Sequence, residues 1–223
     1  MSDTIDLIPL WLTLKVAGFA TLISFVVGCS IAFFLARAEV RGKDWIDAVL
    51  TLPMVLPPTV LGYYLIVCIG RNGRIGHWLE ETFAISLMFT WQGAVLAAAI
   101  VSLPLILKSA RAAYEGVDPN LENAARTLGI SELGVFLRVT FPLAWRGIFA
   151  GTLLAFARAM GEFGATLMVA GNLPGKTQTL SLSIYDAVQS GNDAAANILV
   201  LIASAVCVGI LVLSARILNV RYA

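Results

Sequence analysis

Long apolar stretches separated by short polar segments make up most of this chain. A helix that crosses a bilayer needs ~20 mainly apolar residues, and several stretches reach that length. They cover residues 7–37, 46–69, 88–113, 143–170 and 194–215. The pattern predicts an all-α fold, a polytopic transmembrane helical bundle with about five spans in one domain over residues 1–223.

The second stretch contains several prolines. Pro53, Pro57 and Pro58 are followed by Thr59 and, three residues later, by Gly62. Proline removes a backbone donor, and the carbonyls that it frees are tolerated at membrane depth only inside protein or beside a water-filled cavity. We therefore expect a kinked or broken helix, which serves either as a packing bend or as the lining of a pathway.

The fourth stretch carries two opposite charges, Arg158 and Glu162, one helical turn apart. Each would cost ~2.5 to 3.5 kcal/mol alone at the bilayer centre, so we expect an intrahelical pair that faces protein or water. A structural pair and a gate in a pathway both fit this pattern. Gly147, Gly151 and Ala155 recur at every fourth position and form a ridge that permits close helix packing.

A polar segment, residues 118–142, separates the third and fourth stretches and has helix signals of its own. Asp118 is a good N-cap, Pro119 lies where a missing amide costs nothing, and Gly129 supplies a left-handed stop. Ser131 can cap a second short helix. These signals predict a short surface helix that is held at both ends by spanning segments.

The first of these short helices has a narrow stripe of small and medium apolar side chains. The stripe consists of Leu121, Ala124, Ala125 and Leu128, whereas Glu122, Asn123 and Arg126 point elsewhere. Two interpretations remain open. The stripe either packs against its own bundle or fits a groove on a soluble partner, whose movement would then move the membrane helices.

Composition supports a membrane protein, because 59% of residues are hydrophobic, 13% are charged and the mean hydropathy is +0.86. A net charge of +1 with dispersed basic residues gives no sign of nucleic-acid binding. The three cysteines are isolated in apolar stretches, and the single histidine, His77, has no metal-ligand spacing. We expect no metal site, and we expect the first stretch to be a retained span because no cleavage pattern precedes it.

Basic residues are unevenly distributed between the two sides that five spans define. If the N-terminus lies outside, only Arg71, Arg74 and Lys176 fall in outer loops. The inner side then holds Arg37, Arg41, Lys43, Lys108, Arg111, Arg126, Arg138, Arg146, Arg216 and Arg221. The positive-inside rule therefore predicts an N-out/C-in topology with residues 118–142 in the cytoplasm.

The chain lacks the motifs of an ATPase or a hydrolase. Residues 171–177, GNLPGKT, have three residues where a phosphate loop needs four between its glycines, and no strand precedes them. Neither H-E-x-x-H nor G-x-S-x-G occurs. We expect a protein that is not an enzyme and that transports a solute with energy supplied by a separate protein.

One motif resembles a known family. The run AARTLG at residues 124–129 is followed by nine residues and then by VTFP at 139–142. This spacing resembles the EAA loop, the coupling helix of binding-protein-dependent ABC importer permeases. Asn123 holds the position where that family usually has glutamate, and Glu122 precedes it.

Nearly the whole chain resembles the permeases of type I ABC importers. Within that family it most resembles molybdate permeases, and the stretches that carry this resemblance are LPPTVLGYYL, WQGAVLAAAI, ENAARTLG, GEFGAT and NLPGKTQTLSLSIYD. The resemblance implies the type I importer permease fold in a bacterial inner membrane. It also implies a homodimer with a second copy of the chain, two cytoplasmic ABC ATPase subunits and a periplasmic substrate-binding protein that delivers the oxyanion. ATP and Mg would be bound by the ATPase subunits, and this chain would bind no cofactor.

The resemblance also implies site residues. Coupling to the ATPase would involve Leu121, Glu122, Asn123, Ala124, Ala125, Arg126, Leu128 and Gly129. The pathway or gate candidates are Pro57, Pro58, Thr59, Gly62, Arg158, Glu162, Gly164 and Thr166.

Two alternatives stay open at the level of sequence. A permease for tungstate, sulfate or thiamine would share this architecture. A self-contained secondary transporter or channel is the other class, but no internal inverted repeat is visible and one pair of membrane charges is little for ion coupling.

Overall fold

A computed structural model describes residues 7–37 and 42–218, and every regular element in these ranges is a helix. Two basic residues assigned above to the inner side, Arg41 and Arg221, lie outside the described residues. The helices are α1 (Ile8–Arg37), α2 (Lys43–Val55), α3 (Pro58–Ile69), α4 (Arg74–Phe83), α5 (Trp91–Glu115), α6 (Pro119–Thr127), α7 (Glu132–Val135), α8 (Phe141–Met160), α9 (Gly164–Ala170), α10 (Leu180–Gln189) and α11 (Asp193–Leu218), with a π-helical segment (Phe136–Thr140) between α7 and α8.

Four helical stretches among the described residues are long and apolar enough to cross a membrane by themselves. They are Ile8–Arg37, Trp91–Glu115, Glu132–Met160 and Asp193–Leu213. A fifth candidate is the pair Trp45–Val55 and Pro58–Ile69, which is bent by 109° at its break. The predicted all-α bundle of about five spans is confirmed.

The contacts of α5 show that the bent pair crosses the bundle. Arg37, at the end of α1, forms an ion pair with Glu122, which follows the end of α5. The Lys15 amine, near the start of α1, lies 3.6 Å from the ring centroid of Trp91 at the start of α5. Since α1 and α5 are therefore parallel, the chain must return between them through α2 and α3.

The remaining spans follow the same alternation. Phe136 lies edge-on to Phe33, near the end of α1, and Met160 packs in one cluster with Leu12, near its start, so the stretch Glu132–Met160 is antiparallel to α1. The beginning of α11 packs with the beginning of α1, so α11 is parallel to α1. We call the end with α6 and the last residues of α1 the α6 side, and the opposite end the α4 side.

The central helix, α5, is packed closely against α8. A side-chain Cβ at Gly151 would lie 2.3 Å from Cβ of Ser109, and one at Gly147 would lie 2.8 Å from Cβ of Ala113. The small-residue ridge predicted from the sequence therefore brings these two helices into close contact, because no larger side chain fits between them.

The fourth span differs from the predicted 143–170. Its helical stretch runs over Glu132–Met160, and a break at Gly161 separates it from the short α9. Pro142 does not interrupt the helix because the π-helical segment before it widens the turn, with the Phe141 amide bonded to the Phe136 carbonyl. The predicted coupling segment 118–142 therefore contains the first eleven residues of a spanning helix, about three turns.

Candidate functional site

The short helix α6 begins and ends as its sequence predicts. The Asp118 carboxylate accepts a hydrogen bond of 2.9 Å from the Asn120 amide, and Pro119 occupies the first turn. At the other end Gly129 has φ of +78°, and the Ile130 amide donates to the Ala125 carbonyl at 3.2 Å. This Schellman arrangement turns the chain sharply into α7.

One face of α6 is apolar and exposed. Leu121 is 49% exposed, Leu128 is 80% exposed, and Ala124 lies between them at the surface. We call Leu121, Ala124 and Leu128 the docking stripe. Ala125, the fourth member of the predicted stripe, is buried. The interpretation that the whole stripe packs on its own bundle is therefore wrong, since only Ala125 does so.

The opposite face of α6 is fixed by a buried carboxylate. Glu122 is only 3% exposed, and its Oε1 accepts hydrogen bonds from Arg37 Nη2 and, at 2.7 Å, from Thr140 Oγ1. We call these three side chains the anchor. It joins α6 to the end of α1 and to the π-helical segment. Of the predicted coupling residues, Glu122 and Ala125 thus face the bundle and are not part of the exposed surface.

A second, exposed network joins α6 to α7. Arg126 donates from Nε and Nη2 to the two carboxylate oxygens of Glu132, at 2.8 and 3.1 Å, and from Nη1 to Asn123 at 2.9 Å. The hydrogen bond to Glu132 raises the pKa of the Arg126 guanidinium above its ordinary value. Because the bidentate pair spans the turn at Gly129, it holds the two short helices at a set angle.

The pathway candidates are gathered where two broken helices meet. The break between α2 and α3 lies at Leu56 and Pro57, and that between α8 and α9 lies at residues 161–163. A Cβ at Gly164 would lie 2.6 Å from Cβ of Pro58, and one at Gly62 would lie 2.6 Å from Cβ of Met168. Both glycines are therefore needed for the close approach of α3 and α9.

The exposed groups at this junction are Pro57, Pro58 and Thr59, whereas Thr166 is buried. Arg158 Nη1 donates to Glu162 Oε2 at 2.9 Å, as the sequence predicts, but Glu162 lies beyond the end of α8, so the pair is not intrahelical. The buried Glu162 also accepts from the Ala165 amide at 2.9 Å and so fixes the start of α9. The Arg158 side chain is 37% exposed, so it lies partly at the surface, whereas Glu162 does not.

Several polar contacts of the site were not predicted. The anchor residues Arg37 and Thr140 are separated from Glu122 by 85 and 18 positions, and no spacing rule links such distant residues. Asp47, at the start of α2, binds Lys108 and Arg111 near the end of α5. The only signal in the sequence is that each of these charges lies at the edge of an apolar stretch.

The loop at residues 171–177 is not a phosphate loop, in agreement with the sequence argument. The amides of Lys176, Thr177 and Gln178 all donate to the Leu173 carbonyl, at 3.0, 2.9 and 3.1 Å. Because these backbone donors point inward, they cannot surround a nucleotide phosphate.

Comparison with known proteins identifies relatives over most of the chain. A family model described as "Binding-protein-dependent transport system inner membrane component" matches residues 16–222. The molybdenum transport system permease protein ModB of Escherichia coli K12 is 47% identical over 192 residues, covering 85% of this chain and 84% of that protein. The putative molybdenum transport system permease protein YvgM of Bacillus subtilis is 42% identical over 185 residues, covering 83% and 82%.

Solved structures with the same fold include two ABC transporters. The inward-facing methionine transporter MetNI superposes with a TM-score of 0.72 at 16% identity, covering 98% of both chains. A bacterial alginate transporter in complex with its pentasaccharide-bound periplasmic protein gives 0.77 at 14% identity, covering 98% of this chain and 80% of that one. At these identities the likeness shows the fold alone.

Proposed function

Because this chain belongs to the family of binding-protein-dependent transport system inner membrane components, we propose that it is the permease subunit of an ATP-driven importer for molybdate. It is a membrane component without an ATPase site of its own. Its relatives in Escherichia coli and Bacillus subtilis carry molybdenum transport in their names, and this supports molybdate as the solute. ATP and Mg are bound by the partner ATPase subunits, and the permease needs no cofactor.

The observation that carries the proposal is the two-faced helix α6. The docking stripe is free at the surface, and the anchor on the opposite face holds the helix to two different spans. A partner that binds the docking stripe and then moves would therefore move the end of α1 and the start of the helical stretch that continues as α8. This is the mechanical property that coupling to an external ATPase requires.

The positive-inside rule supports an orientation with the α6 side in the cytoplasm. The described basic side chains on that side include Arg37, Lys108 and Arg138, whereas Arg71 and Arg74 lie with α4. Two cytoplasmic ABC ATPase subunits would then contact the α6 helices of a permease homodimer. A periplasmic substrate-binding protein would deliver molybdate at the α4 side.

The junction of the two broken helices is the proposed pathway segment. Carbonyls freed at helix breaks and the partly exposed Arg158 offer polar groups at membrane depth. Molybdate is a dianion, and the nearby Glu162 balances the Arg158 charge, so the oxyanion would be attracted without being held tightly. Pro57, Pro58 and Thr59 would face the path between two copies of the chain.

Uptake into proteoliposomes tests the function. The permease is reconstituted with the ATPase subunits and the binding protein of the same transport system, and accumulation of radioactive molybdate is measured with ATP or with ADP inside. We expect uptake that needs both ATP and the binding protein and that tungstate inhibits more strongly than sulfate. Uptake driven by an ion gradient without ATP would instead indicate a self-contained transporter.

A further inference from the structure

Two adjoining cavities lie on the α4 side of α1, away from both sites described above. The first has a volume of about 430 Å³, and its walls include Trp11, Lys15, Trp91, Gln92, Lys176 and Thr177. The second has about 390 Å³ and is lined by Trp11, Leu14, Lys15, Gly18, Phe19 and Leu22. Since Trp11 and Lys15 belong to both linings, the cavities meet at these two side chains.

The first cavity carries positive charge. Lys15 holds its amine over the face of Trp91, and Lys176 is exposed in the loop before α10. Among the residues described by the structure, no carboxylate lies within ion-pair distance of either amine. Two cations and the Gln92 amide are suited to an anionic oxygen group such as a phosphate.

The second cavity is an apolar groove on the outer surface of a spanning helix. Trp11, Phe19 and Leu22 are exposed along it. Gly18 forms a notch in its floor, because a Cβ at that position would have no atom within 4 Å. From Trp11 to Leu22 the groove follows α1 for ~16 Å at 1.5 Å per residue, a length suited to part of an extended acyl chain.

We propose that the two cavities together bind one phospholipid of the leaflet on the α4 side. Its phosphate lies between Lys15 and Lys176, and one acyl chain lies in the groove over Gly18. A free inorganic anion would use only the first cavity, and an acidic protein segment would leave the apolar groove unexplained. Aromatic side chains such as Trp11 and Trp91 are typical of the membrane interface where a lipid headgroup lies.

The bound lipid would join three separate elements of the α4 side. The cavity walls come from α1, from the start of α5 and from the loop at residues 171–179. A phospholipid between them acts as a bridge, so its binding increases the stability of the assembled bundle. This role is independent of which solute the permease carries.

Native mass spectrometry of the detergent-purified transporter complex, titrated with phosphatidylglycerol, tests the proposal. Lys176→Gln removes one cation from an exposed loop, and Gly18→Leu fills the notch from open space, so both variants should fold. We expect each to weaken binding of the tightly retained lipid by about tenfold, which for the lysine corresponds to the loss of one charge-assisted hydrogen bond. The matched controls Lys43→Gln and Gly209→Leu, which lie elsewhere, should leave lipid retention unchanged.

A parallel titration with inorganic phosphate separates the possible sources of the anion. Displacement of lipid by phosphate at equal concentration, with Gly18→Leu inert, would overturn the proposal in favour of a small-anion site. Unchanged lipid retention in both variants, accompanied by weaker association with the binding protein, would overturn it in favour of a protein contact. Loss of lipid in both variants with intact ATPase association supports it.

Discussion

Glu122 shows how much the role of one residue depends on which side of a helix it faces. The sequence separates it correctly from the apolar stripe, but a charged residue on a surface helix is normally expected in solvent. Here the carboxylate is buried and bonded to Arg37 and Thr140. Its burial could not be predicted because both partners are distant in sequence, and only the packed bundle brings the three together.

Replacing Glu122 with glutamine should loosen α6 while preserving its shape. A hydrogen bond to a charged group contributes about 1.5 to 3 kcal/mol, and the amide of glutamine cannot balance the Arg37 charge. We expect a lower thermal unfolding midpoint of the purified complex and weaker stimulation of ATPase activity by the binding protein.

Glu115→Gln is the matched control for this change. Glu115 pairs with Arg111 at 2.8 Å on an exposed helix surface, where an ion pair contributes less than about 1 kcal/mol. Equal effects of the two substitutions on stability and stimulation would show that the anchor has no special role.

The pair Arg158 and Glu162 should behave as a coupled unit. Arg158→Gln leaves a buried carboxylate without its partner charge and should mainly reduce the amount of folded protein. Glu162→Gln leaves a partly exposed cation that would bind the molybdate dianion more tightly, so it should mainly reduce turnover. The double variant should cost less than the sum of the singles by about 0.5 to 3 kcal/mol.

For the two single variants and the double variant, thermal stability measures the loss of folded protein, and uptake per inserted transporter measures the loss of turnover. The exposed pair of Arg71 and Glu80, at 3.0 Å, provides a control in which the two changes should be additive. Additive losses at Arg158 and Glu162 would mean that their contact contributes nothing.

At the scale of elements, local sequence signals predicted where α6 starts and stops, and they failed for the helix that follows. The cap at Asp118, the proline after it and the left-handed Gly129 act within one or two turns, so they can be read from neighbouring residues. The π-helical segment depends on the packing of both its ends. For that reason the sequence predicts a span that starts at residue 143, whereas the helical stretch begins at Glu132.

Gly129→Val should disrupt coupling through the backbone alone. A Cβ at this position meets no atom within 4 Å, so no clash arises, but a left-handed backbone costs a β-branched residue about 1 to 2 kcal/mol. We expect normal membrane insertion with loss of ATPase association or of binding-protein-stimulated hydrolysis.

Gly129→Asn is the companion variant, because asparagine accepts the left-handed conformation and can end a helix in the same way. It should retain most of the activity. If valine were tolerated as well as asparagine, the Schellman turn would not be what orients the docking stripe.

At the scale of the whole molecule, the number of spans was predicted because each must supply its own apolar length. Which spans pack against each other was not predicted, because an apolar helix surface does not by itself specify its partner. The parallel arrangement of α1 and α5 follows from contacts at both of their ends, between Arg37 and Glu122 and between Lys15 and Trp91. It also identifies the bent α2 and α3 as a true crossing.

Labelling with an impermeant thiol reagent on intact cells tests the orientation. In a background without the native cysteines, Trp78→Cys on exposed α4 should be labelled, and Asn120→Cys on exposed α6 should be protected until the cells are opened. Both sites are at the surface of the chain, so burial does not limit the reaction. Labelling of position 120 with protection of 78 would invert the topology.

The π-helical segment determines how the buried face of one half of a helix is rotated relative to the buried face of the other half. Buried positions on its inner face are Val135, Thr140, Ala144 and Ile148, so the spacing is five residues across the segment and four after it. In an uninterrupted α-helix each residue turns the face by ~100°, so the five residues from Val135 to Thr140 would leave these two side chains ~140° apart, and only one of them could face the bundle. The segment thus holds one residue more than an α-helical turn and still keeps the two buried faces aligned. Deleting one residue from it would restore the four-residue spacing of an α-helix, so the buried faces on either side would stay on the same side of the helix.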